Sequence, residues 1–238
     1  MKIAILGSGG REHAITHSVS KSKKVNKIYF IPGYAGTNEI CENISIDLNN
    51  FEEIYKFINL NEIELVIVGP EDPLVNGIVD YLEQFNIKVF GPNKNASQLE
   101  GSKIFTKNIC QEQNIPTANF GIFKNLKDSK KFLDNSNYPI VVKADNLAAG
   151  KGVYICQNIK ESYIAVEEIF NGKFGIAKKV LIGEFLDGEE MSYFVISDGK
   201  TIKNFGTAQD HKRVEEGDKG KNTGGMGAYS PSRLINKE

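Results

Sequence analysis

The sequence predicts an α/β protein in two parts. A doubly wound parallel sheet occupies about the first 95 residues, and an α+β unit of antiparallel strands over two helices follows. Three observations carry this. Short apolar, β-branched runs alternate with helix-spaced segments from residue 2 to residue 90, the signature of β-α-β units. Each of these early runs stops at glycine, Gly-Pro or Pro-Gly. Beyond residue 115 the alternation is lost and a hairpin signal, Asp198-Gly199, appears.

In order, residues 2–6 form a buried strand, Gly7-Ser8-Gly9-Gly10 turns the chain, and 11–20 form a helix. Residues 28–31 are a strand ending in Pro32-Gly33, and 51–58 are a helix by apolar spacing. Residues 64–68 are a strand closed by Gly69-Pro70. Residues 74–85 are one helix, apolar at 74, 75, 78, 79, 82 and 85, and 88–90 are a fourth strand. Residues 95–113 are helical but broken near Gly101-Ser102-Lys103, and they lead into a second domain. There, 118–123 are a strand and 126–133 a helix. Residues 140–142 and 153–155 are antiparallel partners, and 161–170 are a helix. Residues 179–186 are a strand, and 191–197 with 201–205 a hairpin. Residues 207–231 have almost no apolar periodicity and read as an active-site loop. A last helix starts near 234–238. The expected domains are 1–100, 101–189 and 190–238.

Bulk numbers narrow the function. The chain has 238 residues, 40% hydrophobic and 25% charged, enough for one large or two small domains. The net charge of −1 gives no electrostatic case for a nucleic-acid partner. Cys41, Cys110 and Cys156 are far apart and form no C-x-x-C, which fits a reducing compartment without structural zinc. The N-terminus lacks a signal-peptide pattern, and no apolar run approaches a membrane span. A cytoplasmic protein without a membrane partner is expected.

Two stretches suit phosphate. Lys143 ends a strand, and Ala148-Ala149-Gly150-Lys151-Gly152 is small and flexible. Small residues let backbone N–H groups approach an anion, and ammonium groups add point charges. The plainer alternative is an ordinary hairpin with solvated lysines. No Walker A pattern occurs. The turns at 7–10, 32–37, 69–73 and 91–92 should line one rim, because ligands of such sheets bind at the carboxyl ends of the strands. The first turn is not a dinucleotide fingerprint. G-x-G-x-x-G needs glycine at position 12, where Glu12 stands, and no acidic residue ends the second strand. Gly9, Gly10, Arg11 and His13 at a helix N-terminus instead suit a sugar phosphate. His13 and His17 lie four apart without a third ligand and read as surface histidines.

Eight motifs in order resemble one family. They are G-S-G-G-R-E-H-A at 7–14, P-G-Y-A-G-T at 32–37, G-P-E-D-P-L-V-N-G at 69–77 and E-G-S-K at 100–103. V-K-A-D-N-L-A-A-G-K-G-V follows at 142–153, E-F-L-D-G-E-E-M-S at 184–192, Q-D-H-K-R at 209–213 and N-T-G-G-M-G-A-Y-S-P at 222–231. The chain is similar to the glycinamide ribonucleotide synthetases, ATP-grasp ligases of purine biosynthesis. Tyr34 stands where that family usually has Asn, and Lys221 where it usually has Pro.

The resemblance implies a pre-ATP-grasp sheet, then an ATP-grasp small subdomain, with the large subdomain truncated. It implies ATP-dependent joining of glycine to 5-phosphoribosylamine through glycyl phosphate, with Mg2+ or Mn2+, at the seam of the two units. By motif, Lys103, Lys143, Gly150, Lys151 and Gly152 would hold ATP phosphates. Glu184, Phe185 and Leu186 would meet the adenine, and Glu190 the ribose. Gly9, Gly10, Arg11, Glu12, His13, Gly36, Thr37, Glu71, Asp72 and Pro73 would bind the ribosylamine side. Asn222, Thr223, Gly224 and Gly225 would close over substrate, with Asp210, Lys212 and Arg213 as catalytic groups. The family's metal ligands would lie past Glu238, so no metal site is expected in this chain. The expected state is the N-terminal portion of such an enzyme, with a separately encoded C-terminal half as candidate partner. Alternatives stay open: a catalytically inactive module that binds nucleotide and phosphoribosyl ligands, or another ATP-grasp enzyme. The Q-D-H-K-R and N-T-G-G-M-G stretches argue against the last.

Overall fold

The computed structural model describes residues 1–145, 152–175, 178–217, 219–223 and 225–235. The chain divides into two compact units, Met1–Ile109 and Cys110–Glu238.

In the first unit, strands β1 (Lys2–Gly7), β2 (Lys27–Pro32), β3 (Glu42–Asn43), β4 (Leu65–Val68) and β5 (Val89–Phe90) form one sheet in the order β3-β2-β1-β4-β5. All its pairings are parallel. Side chains alternate across a strand, so the central strand feeds two cores. Ile3 and Ile5 pack with Phe30 against Ile15 and Val19 of helix α1 (Gly10–Ser20). Ala4 and Leu6 pack with Val66 and Val68 on the other face. That face is covered by Ile54 and Ile58 of α2 (Phe51–Leu60), Leu74 of α3 (Glu71–Asn76), and Ile78 and Leu82 of α4 (Ile78–Glu83). This is the doubly wound sheet expected from the alternation. One element differs. The single helix over 74–85 is two helices, starting at Glu71 and split at Gly77, whose φ of 96° is left-handed. Such a conformation ends a helix, and glycine reaches it without penalty. Helices α5 (Gln98–Gly101) and α6 (Lys103–Glu112) reproduce the break near residue 102.

In the second unit, β6 (Phe120–Phe123), β7 (Ile140–Ala144), β8 (Val153–Cys156) and β9 (Val180–Glu184) form an antiparallel sheet ordered β6-β9-β7-β8. Helices α7 (Leu126–Leu133) and α8 (Ile159–Phe170) cover it. Leu133, Val166 and Ile169 pack on Ile140, Val142, Val180 and Ile182. Strands β10 (Ser192–Ser197) and β11 (Ile202–Asp210) form the expected hairpin. The reading of 207–231 as an irregular loop is corrected. Strand β11 runs on to Asp210, β12 (Arg213–Glu215) pairs with β13 (Lys219–Asn222), and β14 (Ala228–Tyr229) pairs with the end of β11. Polar strands with glycine turns carry no period-2 apolar signal, so the sequence hid them. Leu234 and Ile235 lie in a turn, and the rest of the helix expected at 234–238 falls outside the described residues.

Candidate functional site

At the rim of the first sheet the organising group is Glu12. It is only 3% exposed, buried at the start of α1. Its Oε2 accepts the Gly9 N–H at 2.8 Å, and its Oε1 accepts the Arg11 Nε–H at 2.7 Å. The first bond is half of a capping box, a glutamate at the third helical position returning to the cap backbone. Arg11 also donates from its NH1 to Glu71 Oε1 at 3.1 Å, tying α1 to the start of α3. Burial pulls the Arg11 pKa down, but the hydrogen bonds and charges of Glu12 and Glu71 outweigh it and raise it. Burial pushes the Glu71 carboxyl up, but its backbone hydrogen bond and Arg11 hold it below the ordinary carboxylate value. Among the residues expected to meet the ribosylamine, Glu12 and the Gly9 N–H therefore serve the frame. Gly10 has open space where a side chain would be.

The second turn is built around Tyr34. His13 Nδ1 is hydrogen bonded to the Tyr34 hydroxyl, and the two rings meet edge-on at 5.6 Å. A Cβ at Gly36 would lie 2.7 Å from the Tyr34 ring, so glycine there is clearance for that ring. Thr37 is fully buried, its hydroxyl 2.8 Å from Tyr34 O and from Asn43 Oδ1. It braces the turn from inside. Asp72 and Pro73 line a hollow of about 500 Å³ together with Pro32, Pro70 and residues 45–49. Of the four turns expected to line one rim, 32–37 and 69–73 contribute to this hollow, the turns at 7–10 and 91–92 are not among its lining, and Ser45, Asp47 and Asn49 complete it and were missed. Asp47 accepts the N–H of Asn49 at 3.0 Å, an Asx turn just before α2. The D-x-N-N spelling was the available signal.

Lys103 opens α6 in the first unit. In the second unit Lys143 lies half-buried in β7, in register with Val153 and Leu181. Gly152 is buried, its carbonyl accepting the Ala144 N–H at 2.9 Å. Gly150 and Lys151, with the rest of the expected phosphate flap at 146–151, lie outside the described residues. Glu184 ends β9, but its backbone N–H is bound to Asn119 O at 2.9 Å. Its carboxylate accepts both the backbone and side-chain N–H groups of Asn119, at 3.1 and 3.0 Å. The Glu184 N–H and carboxylate are thus committed to Asn119, and Phe185 and Leu186 lie beyond the strand. Nothing in the sequence flagged Asn119. Glu190 forms an ion pair with Lys212, joining a residue expected at the nucleotide ribose to one expected at the catalytic centre.

The last two motifs are knitted together. Gln209 and Asp210 pair with Tyr229 and Ala228. His211 and Gly227 share a backbone bond of 2.9 Å, and Met226 donates to His211 O at 2.8 Å. Thr223 binds Lys212 O with both its N–H and its hydroxyl, at 2.7 and 2.9 Å, and the Thr223 hydroxyl accepts the Gly225 N–H at 3.0 Å. Asn222 pairs with Arg213 across the β12–β13 hairpin. Asp210, Lys212 and Arg213 are thereby gathered with Asn222, Thr223 and Gly225, as expected; Gly224 lies outside the described residues. These paired segments carry a carboxylate, two cations and backbone donors, the group types a zwitterionic amino acid needs, with Lys212 held by Glu190. Among the described residues no group of three His, Cys, Asp or Glu side chains could hold a metal ion.

Comparison with known proteins divides the chain nine residues earlier than the compact units do. Residues 1–100 match the family model described as phosphoribosylglycinamide synthetase, N domain, and residues 101–238 match its ATP-grasp (A) domain. The phosphoribosylamine–glycine ligase of Mesorhizobium japonicum is 48% identical over 239 residues, covering 100% of this chain and 56% of the relative. That of Pasteurella multocida is 48% identical over 242 residues, again covering 56% of the relative. The crystal structure of phosphoribosylamine–glycine ligase from Thermotoga maritima superposes with a TM-score of 0.82 at 31% identity, over 99% of this chain and 56% of that one. A biotin carboxylase domain from Hydrogenobacter thermophilus shares the fold, with a TM-score of 0.72 at 19% identity. The chain spans about half the length of the curated relatives it matches.

Proposed function

The chain belongs to the phosphoribosylglycinamide synthetase family, and from that premise we propose that it supplies the ATP- and substrate-binding part of a ligase joining glycine to 5-phosphoribosylamine. The observation that carries this reading is the knitting of the 209–213 segment to the 222–229 segment around Lys212. A glycine carboxylate has cations in Lys212 and Arg213, and a glycine ammonium has Asp210.

The proposed reaction proceeds in two steps. A glycine carboxylate oxygen attacks the γ-phosphorus of ATP, ADP leaves with the electron pair of the broken P–O bond, and glycyl phosphate forms. The amine of phosphoribosylamine then attacks the carbonyl carbon. Phosphate leaves with the C–O pair, the amine loses a proton, and the amide remains. Such a transfer needs positioning and charge neutralisation more than covalent help. Lys103, Lys143 and Lys151, with Gly150 and Gly152, are proposed for the ATP phosphates. The backbone of Glu184, Phe185 and Leu186 is proposed for the adenine edge and Glu190 for the ribose. Gly10, Arg11 and His13 are proposed to face the sugar phosphate, on the frame made by Gly9, Glu12, Gly36 and Thr37. Glu71, Asp72 and Pro73 complete that side, and Asn222 to Gly225 close over glycine.

The magnesium that accompanies ATP is not assigned to residues of this chain. A cytoplasmic location and a separately supplied C-terminal half belong to the same proposal; no described helix is long and apolar enough to cross a membrane. The length of the relatives favours a second reading beside the first, binding without turnover by this chain alone.

Titration calorimetry tests the nucleotide half. A hydrogen bond to a charged group is worth about 1.5–3 kcal/mol, so Lys143→Ala should weaken ATP binding by about 10- to 150-fold. Unchanged ATP affinity in that variant would remove Lys143 from the site.

A further inference from the structure

We propose that Glu12 is a built-in anion that fills the inner cradle of the first turn and so decides which phosphate ligands the rim admits. The carboxylate stands where the glycine turn, the start of α1 and the turn after β4 meet. It takes the Gly9 N–H at 2.8 Å and the Arg11 Nε–H at 2.7 Å, and the residue is 3% exposed. The same side chain explains three glycines, at the end of β1, at the cap of α1 and just past β4. A Cβ at Gly7, Gly9 or Gly69 would fall 2.5, 2.8 or 2.3 Å from an atom of Glu12. These glycines are clearance for an internal carboxylate.

A carboxylate at a helix N-terminus satisfies the same donors and the same dipole as a phosphate would. In a dinucleotide site the second glycine of the fingerprint, here Gly9, lets backbone meet the pyrophosphate, and the third, here position 12, lets helix pack closely on strand. In this chain a side chain of like charge, the Glu12 carboxylate, already holds the Gly9 N–H. Gly10 remains open on the outside, with nothing within 4 Å of an added Cβ. A phosphate therefore keeps an approach at Gly10, while the Gly9 N–H that a pyrophosphate would also use is taken. The inference concerns the first turn alone and does not rest on the ligase reading.

Glu12→Gly would turn residues 7–12 into G-S-G-G-R-G, which satisfies the dinucleotide pattern. The test titrates NAD into the full chain, labelled with 15N, and follows the backbone amides of Gly9 and Gly69. In the native sequence and in Glu12→Gln, which keeps the shape and removes the charge, neither amide should show a saturable shift. In Glu12→Gly both should shift, with NAD affinity rising by about tenfold or more. A saturable shift of Gly9 in the native chain or in Glu12→Gln overturns the proposal, and so does a folded Glu12→Gly chain that stays inert. Should Glu12→Gly not fold, the first two proteins still decide: inert amides support a filled cradle, and moving amides refute it.

Discussion

Single residues at the rim carry more of the fold than their polarity suggests. Gly69→Ala would drive a Cβ to 2.3 Å from Glu12 Cγ, in a fully packed place, whereas Gly10→Ala meets nothing within 4 Å. Overpacking costs about 1–3 kcal/mol, so urea denaturation should show a loss of that order for Gly69→Ala and almost none for Gly10→Ala. Equal stability of the two variants would mean that Glu12 does not occupy the cradle. The Glu71 carboxyl, held below its ordinary value of 4.5 in the folded chain, stabilises at pH above that value. The contribution is lost as pH falls through the lower, folded value. Glu71 is 46% exposed, so the effect is modest. The gap in melting temperature between native chain and Glu71→Gln should narrow as pH drops below 4.5; a constant gap would break the Arg11–Glu71 link. Burial first, and the charge of Glu161 second, push the Cys156 thiol up to about 11. A thiol reagent on native protein should therefore modify Cys41 and Cys110, both partly exposed, well before Cys156. Glu12 marked the turn as unlike a dinucleotide site from the sequence alone. Its burial did not show, because nothing in a lone glutamate's spelling tells a capped, buried carboxylate from a solvated one.

Elements were legible where a periodic apolar face or a cap spells them. Three helices begin on asparagine, and each asparagine Oδ1 accepts the N–H three residues on: Asn50 from Glu53, Asn125 from Asp128, Asn158 from Glu161. The matching acid reaches back in each case. The abundant asparagine thus has a local use that composition alone did not reveal. Asn158→Ala should cost about 1 kcal/mol by urea denaturation; no loss would mean that the cap is idle. The helix over 74–85 was misjudged because its apolar spacing runs unbroken across Gly77, and only backbone conformation reveals the split. The strands between 207 and 229 were missed because their stability lies in backbone pairing. Hydrogen exchange checks them: the amides of His211, Thr223 and Met226 should be protected. Exchange at free-loop rates would restore the open loop and loosen the substrate site with it.

At the scale of the whole chain, the β10–β11 hairpin leaves apolar surface uncovered among the described residues. Tyr193, Phe194, Val195 and Ile196 are 41–53% exposed and Phe205 is 72% exposed, so apolar side chains stand out along both strands. Exposed apolar strands invite association. The curated relatives carry additional length, this chain spanning about 56% of theirs. The fold class and the order of motifs were readable throughout, because glycine turns and β-branched runs report directly on backbone needs. Which groups would face a ligand was not, since Glu184, Glu190 and Glu12 all spend their carboxylates on protein partners that no spacing announces. The most direct measurement follows phosphate release from ATP in the presence of glycine and freshly made phosphoribosylamine. It compares this chain alone, this chain with the remaining C-terminal portion of a full-length relative, and that relative intact. The expected result is background release from the chain alone and glycine-dependent release once the remaining portion is supplied. Steady glycine-dependent turnover by the chain alone, or none in the supplemented mixture while the intact relative is active, would contradict a binding part of a larger ligase.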